Sequence, residues 1–400
     1  MSNFSTFTDT AKIGSFSYID KDATVPSNYL GFTSNTTLVE SSYPELAAVI
    51  PAVQPLNLAA TIDSGTDNTS SGFASSTGQG IAISGNYAIL GRGSQNNALI
   101  YFYNGTAWSL QQTISNPSGQ SGVAFGTAVD ISGDYAVIGS RDTVSSQGNA
   151  GSVSVYLRSG STWSLQQTIN NPNPGTDVFG DSVSIDETFT YLAVGARLDS
   201  TAGGNFGSVY IYLRSGTTWS LQQTISGSGG ASGLLFGYLV DITSTTLAVR
   251  NQNNNTFIYT RSGTTWSLQQ TIDNFGSTIG HMSLVGDYLG LANRIYFRSG
   301  STWSLQTTVS GDNIAITDTY AYSISGTTLY FYTRSGATWT LTATITAPAS
   351  LSTTKTSGTR VLVAGSTNKV LYFYHQEANF GIFLYPLPAS AEHKTLVRLK

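Results

Sequence analysis

Cysteine is absent from the 400-residue chain, which excludes a disulfide framework, a thiolate metal site and a cysteine nucleophile. Charge is scarce: 10% of residues are charged and the net charge is −4, so there is no basic footprint for nucleic acid and no polybasic patch for a membrane surface. Histidine occurs three times, at His281, His375 and His393, and glutamate five times. These residues lie in unrelated places, and no Ser/His/Asp set, zinc-ligand spacing or phosphate loop is legible among them. No apolar run approaches the length of a membrane span, and the opening "MSNFSTFTDT" lacks the basic and apolar regions of a secretory signal. The expectation is a protein that is not an enzyme, needs no cofactor and is not inserted in a membrane.

What the chain does have is strand and turn material. There are 42 Gly, 22 Tyr and long runs of Ser, Thr and Asn, a composition poor in helix formers that points to an all-β architecture. All six tryptophans, Trp108, Trp163, Trp219, Trp266, Trp303 and Trp339, fall at one place in an internal repeat, at spacings of 55, 56, 47, 37 and 36 residues. A repeat of this length signals a solenoid or a propeller. The best-developed unit, 125–169, divides into "GTAVDIS", "YAVIGS", "GSVSVYLR" and "TWSLQQTI", with Gly133-Asp134 and Ser159-Gly160 at turns. Four short antiparallel strands per repeat make one propeller blade.

Full units begin near Phe73, Phe125, Phe179, Phe236, Gly280 and Asp312, and each closes on a Trp-type strand. After Ile345 three more strand candidates follow, "LSTTKTS", "TRVLVAG" and "KVLYFYH", without a fourth. "PLNLAATI", Pro55 to Ile62, supplies it: Leu56, Leu58 and Ile62 align with the Trp, Leu and Ile of "TTWSLQQTI". The sequence therefore predicts a seven-bladed β-propeller over 55–374, closed by strand 55–62 in the last blade. Closure of this kind removes an unpaired edge. Strict alternation in "TWSLQQTI" puts Trp163, Leu165 and Ile169 on one face and Ser164, Gln166 and Thr168 on the other. One Trp per blade admits a sugar-stacking reading, but packing between sheets is the plainer use of so large a ring.

The units "FGTAVDISGDYAVIGS…GSVSVYLRSGSTW" and "FGDSVSIDETFTYLAVGA…GSVYIYLRSGTTW" resemble FG-GAP repeats, the blades of integrin α-subunit propellers and of many microbial proteins. That family is typically seven-bladed. Some of its blades carry a D-x-D-x-D-G calcium loop, which the loops "RDTVSSQGNAG" and "RLDSTAGGNFG" do not match, so no such metal is expected here. The turns "RSGSTW" and "RSGTTW" are also similar to the sialidase Asp-box, with Arg158, Arg214, Arg261, Arg298 and Arg334 standing where that box has Asp.

Those five arginines are the candidate ligand-binding residues. They fall at the hairpin between third and fourth strands and should form a partial ring on one rim, with Asn104 in that place in the first blade. Such a ring could meet acidic glycans, phosphates or a partner's carboxylates; alternatively, the arginines only solvate a hairpin. The long loops 115–124, 140–150, 170–178, 196–206 and 226–235 build up the opposite face over blades one to three, and loops on a rigid scaffold are a usual seat of recognition.

Residues 1–54 read as a separate attachment segment. "VPSNYLGFTSNTTLVESSYPELAAVI", Val25 to Ile50, resembles the segment that opens phage tail-collar and tail-fibre modules. "SYPE" reads as a capping box that starts a short helix near 43–50, with Pro44 at its first position. The extension 375–400 has an apolar centre, Phe380 to Pro388, that needs a partner surface or packs on the propeller's side. The resemblance implies a virion structural protein: a multimeric tail-fibre, spike or appendage component, made in the host cytoplasm. Its ends would bind other tail or capsid proteins, and its propeller would meet a host-surface glycan or protein. The alternatives are a glycan-binding, lectin-like or inactive sialidase-like propeller outside any virion and, further off, a sugar-active enzyme.

Overall fold

The computed structural model describes residues 18–19, 57–63, 79–141, 151–173, 177–200, 206–227, 235–273, 281–347, 351–357, 360–365, 370–375, 381–386 and 394–399. The expected helix near 43–50 and the collar-like segment lie outside them. Two compact units divide the chain, one from 58 to 375 and the other from 1–57 with 376–400.

The larger unit is an all-β propeller. Six blades, not the seven expected, are built from four consecutive strands; they span 81–115, 125–170, 182–226, 239–272, 282–308 and 313–346. A further four-stranded sheet is composite. It takes Leu351–Ser357, Arg360–Gly365 and Val370–His375 from one end of the unit, and its fourth strand, Asn57–Asp63, is hydrogen-bonded beside Val370–His375. The first strand of each blade lies against the first strands of its neighbours, and Leu351–Ser357 lies against both Asn313–Ile316 of blade six and Ile81–Ser84 of blade one. First strands therefore line the axis, and the Trp strands lie outermost.

The core is a series of layers between successive sheets. One layer joins blades one and two through Ile89, Ile100, Phe125, Ile138 and Trp163, the next joins blades two and three, and further layers continue to blade six. The second strands are covered on both faces. Accordingly Tyr135–Ser140, Tyr191–Ala196 and Tyr288–Leu291 are buried at every residue, which is why they read as continuous apolar runs rather than alternating ones.

The Phe-Gly pair that opens blades two to four has a physical cause. Phe125, Phe179 and Phe236 are buried, and each following glycine has a positive φ, +96° at Gly126, +86° at Gly180 and +84° at Gly237. The chain thereby brings the glycine carbonyl against a glycine in the second strand of the preceding blade. A Cβ on Gly139 would lie 2.0 Å from the Gly180 oxygen, and one on Gly195 2.2 Å from that of Gly237. Neither backbone has room to yield.

The outermost strands depart from the strict alternation expected. Each carries a bulge at one repeat position, between Leu165 and Gln167 in blade two and at the matching place in the other five. Gln166 is thus left without a partner residue in the neighbouring strand, and the faces on its two sides no longer alternate. Ile169, expected on the face of Trp163, accordingly packs in the layer between blades two and three while Trp163 packs in the layer between one and two; Leu165, before the bulge, is 44% exposed.

The smaller unit contains a three-stranded sheet in which Tyr18–Ile19 pairs with Lys394–Leu399, which pairs in turn with Gly381–Pro386. The N-terminal and C-terminal extensions, read separately from the sequence, thus share a sheet.

Because two backbones meet at Gly139, the substitution Gly139→Ala should destabilise the propeller by about 1–3 kcal/mol through overpacking, read as a lower urea midpoint. An unchanged midpoint would show that this approach does not constrain the blades.

Candidate functional site

The repeated residues that look functional in the sequence converge on the contact between one blade and the next. All six tryptophans are buried, at 8% exposure or less. In blades one to four the double glutamine of the outer strand grips the next blade's Trp. Gln167 Nε2 donates to the Trp219 carbonyl at 2.9 Å while its Oε1 accepts from the Trp219 backbone N–H at 2.7 Å, and Gln166 Oε1 accepts from the indole Nε1 at 3.2 Å. The same three bonds join Gln111 and Gln112 to Trp163, Gln222 and Gln223 to Trp266, and Gln269 and Gln270 to Trp303. Two adjacent side chains in a regular strand face opposite ways. The bulge at the first glutamine lets both reach one partner.

The glutamines and tryptophans fade together along the chain. Blade five has Gln306-Thr307, and only the Nε1 bond to Trp339 remains, at 2.8 Å. Blade six has Thr342-Ala343, and the fourth strand of the composite sheet, Asn57–Asp63, follows Leu56 where the repeat has Trp. That strand carries Ala59-Ala60 where the repeat has its glutamines.

The five arginines occupy the expected hairpins and are half-buried. Arg158, Arg214, Arg261 and Arg334 lie over Tyr87, Tyr135, Tyr191 and Tyr288 of the preceding blades, with the guanidinium carbon 4.5 to 5.1 Å from the ring centroid. The next blade's Trp packs edge-on against the same tyrosines, for example Tyr191 and Trp266 at 5.4 Å and 82°. Each of the four arginines also donates Nη1 to the glycine carbonyl of its own turn, at 2.6 to 2.9 Å. Blade four has Thr246 in place of the tyrosine, and Arg298 there donates Nη1 to Thr246 Oγ1 at 3.2 Å and Nε to Asp287 at 2.7 Å. Cation–π contact and hydrogen bond substitute for one another at one place. The Arg ring is thus a set of staples between blades, and an anionic ligand would have to compete with those contacts. In blade one the arginine's register place, opposite the Trp, is held by Tyr103 and not by Asn104 as expected; Asn104 is the next residue and caps its own turn, accepting from Thr106 N and Ala107 N at 2.9 Å.

A second set of polar contacts surrounds the axis. Asp130, Ser184, Asp241 and Ser283 hold the same register place in successive first strands. Each accepts from a backbone N–H of the following blade: Ile185 N to Asp130 Oδ2 at 2.9 Å, Ile242 N to Ser184 Oγ at 3.2 Å, Leu284 N to Asp241 Oδ2 at 2.8 Å and Ile316 N to Ser283 Oγ at 3.1 Å. Gln79 reaches from the start of blade one across to blades three and four, accepting from Val183 N at 2.8 Å and donating to the Val240 carbonyl at 3.1 Å. These side chains satisfy inner-edge amides that have no further strand to pair with.

Removal from bulk water at the axis raises the carboxyls of Asp130 and Asp241 above their ordinary range, Asp241 to about 6, opposed in both cases chiefly by the positive charge of Lys355. Lys355 comes from the composite sheet, where its pairing with Leu362 gives it the register place that Asp130 and Asp241 hold in theirs. The sequence reading missed this trio. Lone polar residues in apolar strands, "AVDIS", "LVDIT" and "TTKTS", were the available signal.

Among the described residues no group of three or more His, Cys, Asp or Glu is placed to hold a metal ion. In the loop "RLDSTAGGNFG" the described Asp199 accepts a hydrogen bond from the Tyr210 hydroxyl at 2.7 Å; residues 201–205 and most of the loop "RDTVSSQGNAG" lie outside the described residues.

Comparison with known proteins agrees with this geometry. The sequence model of the FG-GAP repeat matches residues 108–156 and 163–212, so these two stretches of the β-propeller are FG-GAP repeats. Each matched stretch starts on a Trp strand and ends in the third strand of the next blade, the same phase in which 57–375 starts and ends. No curated protein matches the chain. Among solved structures, a chain of the "Crystal Structure of Mitotic Checkpoint Complex" is similar at 14% identity and a TM-score of 0.54, over 82% of this chain and 97% of that one. The Saccharomyces cerevisiae Sqt1 structure is similar at 12% identity and a TM-score of 0.45, over 86% and 100%. The first likeness bears on fold alone.

Two outcomes follow from these contacts. Arg261→Lys keeps the charge but loses the planar stack and the paired donors, so it should lower stability by about 1 kcal/mol; a urea titration showing no loss would leave the staple without energetic weight. Asp241 titrates at about 6 in the folded chain against about 4 unfolded, so the native state takes up its proton first. Its contribution to stability should rise as pH falls from 8 to 5 and be lost as pH rises through 6. Asp241→Asn should flatten that part of the pH dependence in urea titrations, and an unaltered slope would contradict the assignment.

Proposed function

We propose that this protein is a phage virion structural component, a tail-fibre, spike or appendage subunit. Its propeller is a rigid, non-catalytic head that faces the host surface or docks a neighbouring virion protein. The observation that carries the reading is the division of labour along the chain. Residues from both ends, Tyr18–Ile19, Gly381–Pro386 and Lys394–Leu399, meet in one sheet of a separate unit, and the N-terminal part of that unit includes the segment 25–50 that resembles tail-collar and tail-fibre modules. Such a unit suits attachment to other tail or capsid proteins in a multimeric assembly.

Within this reading the composite sheet is a seventh blade that closes the ring. Support comes from its four strands, from the lodging of Leu351–Ser357 between blades six and one, and from the alignment of residues 55–62 with the Trp strand. A closed ring supplies the stiffness a host-facing head needs, and the polar, nearly uncharged surface suits a glycan or protein receptor. The second reading, a lectin-like propeller outside any virion, would use the same repeated surface for sugars.

Pull-downs from a phage-infected lysate, with the full chain and with a chain beginning at Gln54, separate the two. Recovery of tail or capsid proteins by the full chain alone is the expected result. Equal binding of glycans or cell envelopes by both, with no virion protein recovered, would overturn the virion reading in favour of the lectin.

A further inference from the structure

The contacts between blades are not equal around the ring. Four interfaces, from blade one to blade five, carry the complete Gln–Gln–Trp grip, and the interface from five to six carries one bond of it. The two interfaces that flank the composite sheet both lack the glutamine pair in sequence: Thr342-Ala343 precedes Leu56, which also replaces the Trp, and Ala59-Ala60 precedes Trp108, where the Trp is kept. The outer circumference therefore has a seam on both sides of the composite sheet.

Something else must hold that sheet, and the axis provides it. Lys355 is half-buried and its charge acts on both Asp130 and Asp241. Those carboxylates belong to blades two and four, away from the blades that touch the composite sheet directly. Each is oriented by hydrogen bonds, Asp130 by Ile131 N and Ile185 N, and Asp241 by Leu284 N and the Ser184 hydroxyl. The other blades present uncharged side chains at the same register place, Ala82, Ser184, Ser283 and Ala315. No charge other than these three is described there.

We propose that Lys355 locks the composite sheet into the ring from the axis, through Asp130 and Asp241, so that this sheet is the segment of the propeller whose attachment is set by charge and the first to open. The inference rests on the reading of the composite sheet as the closing blade. Two ionised carboxyls drawn out of bulk water repel one another unless a cation faces them. Lys355 supplies that cation only when its sheet is seated, so seating and charge balance are one event. The axis thereby does at the seam what the Gln–Gln–Trp grip does elsewhere.

The test uses the full chain and hydrogen-exchange protection of segments 57–63 and 351–375 against blades two to four, at pH 8 and pH 5. Lys355→Gln is expected to lower protection of the two seam segments at pH 8 at least tenfold more than that of blades two to four. The deficit should shrink at pH 5, where the carboxyls take up protons, and should vanish when Asp130→Asn and Asp241→Asn are added; Lys355→Arg should behave as the parent chain. If Lys355→Gln alone does not fold at pH 8, the triple variant should still fold, which a purely steric role for the lysine does not predict. Equal loss in all blades, an identical deficit at both pH values, or a deficit that persists in the triple variant would overturn the lock while leaving the closing blade standing. Absence of protection over 57–63 in the parent chain would overturn the closing-blade reading itself, and the lock with it.

Discussion

Successive sheets in a propeller meet face to face, and the widest side chain at each meeting is a tryptophan whose indole and backbone must not be left unpaired on burial. The cost of an unmet buried donor exceeds the net gain of most hydrogen bonds, so the next blade can use so large a ring only if a partner stands ready. Here the partner is a pair of adjacent glutamines on the preceding outer strand, and the bulge in that strand is what allows both to serve one residue. Arginine, tyrosine and turn glycine then assemble around the same ring. Repeat, bulge and staple are consequences of one packing requirement.

That requirement explains which parts of the sequence could be read. Strand number, strand order within a blade and the hairpins at Ser159-Gly160 and its equivalents follow from local alternation and turn residues, and they match the four-stranded sheets observed. The buried role of Trp was legible from its repetition. Gln166 and the face of Ile169, which packs between blades two and three while Trp163 packs between one and two, were not, because a bulge is a relation between two strands and leaves no mark in the alternation of one. The glutamine pair did leave a mark, since it recurs unchanged in four blades and weakens in the fifth, but recurrence does not say what the pair touches. The roles of Asp130, Asp241, Gln79 and Lys355 depend on distant strands meeting at an axis, which periodicity within a single blade cannot convey.

The arginines carry a lesson about candidate sites. Five cations repeated on one rim read as a place for anions, and in the structure four of them lie over tyrosines of the preceding blades while Arg298 pairs with Thr246 and Asp287, contacts with which an anion would compete. Repetition in a propeller first serves the contact that is itself repeated. Residues that differ between blades, in the loops of blades two and three and at the two ends of the chain, are where a distinct partner would be met. Six sequential blades are joined by these contacts, and Tyr18–Ile19, Gly381–Pro386 and Lys394–Leu399 share a sheet in the separate unit.

The central claim is that glutamine and tryptophan form one energetic unit across each interface. A double-mutant cycle tests it directly, with Gln166→Ala and Trp219→Phe measured singly and together by urea denaturation, and Gln111→Ala paired with Trp219→Phe as the control across separate interfaces. The claim predicts a coupling of about 1 kcal/mol for the first pair and additivity for the second. Additivity in both pairs would contradict it.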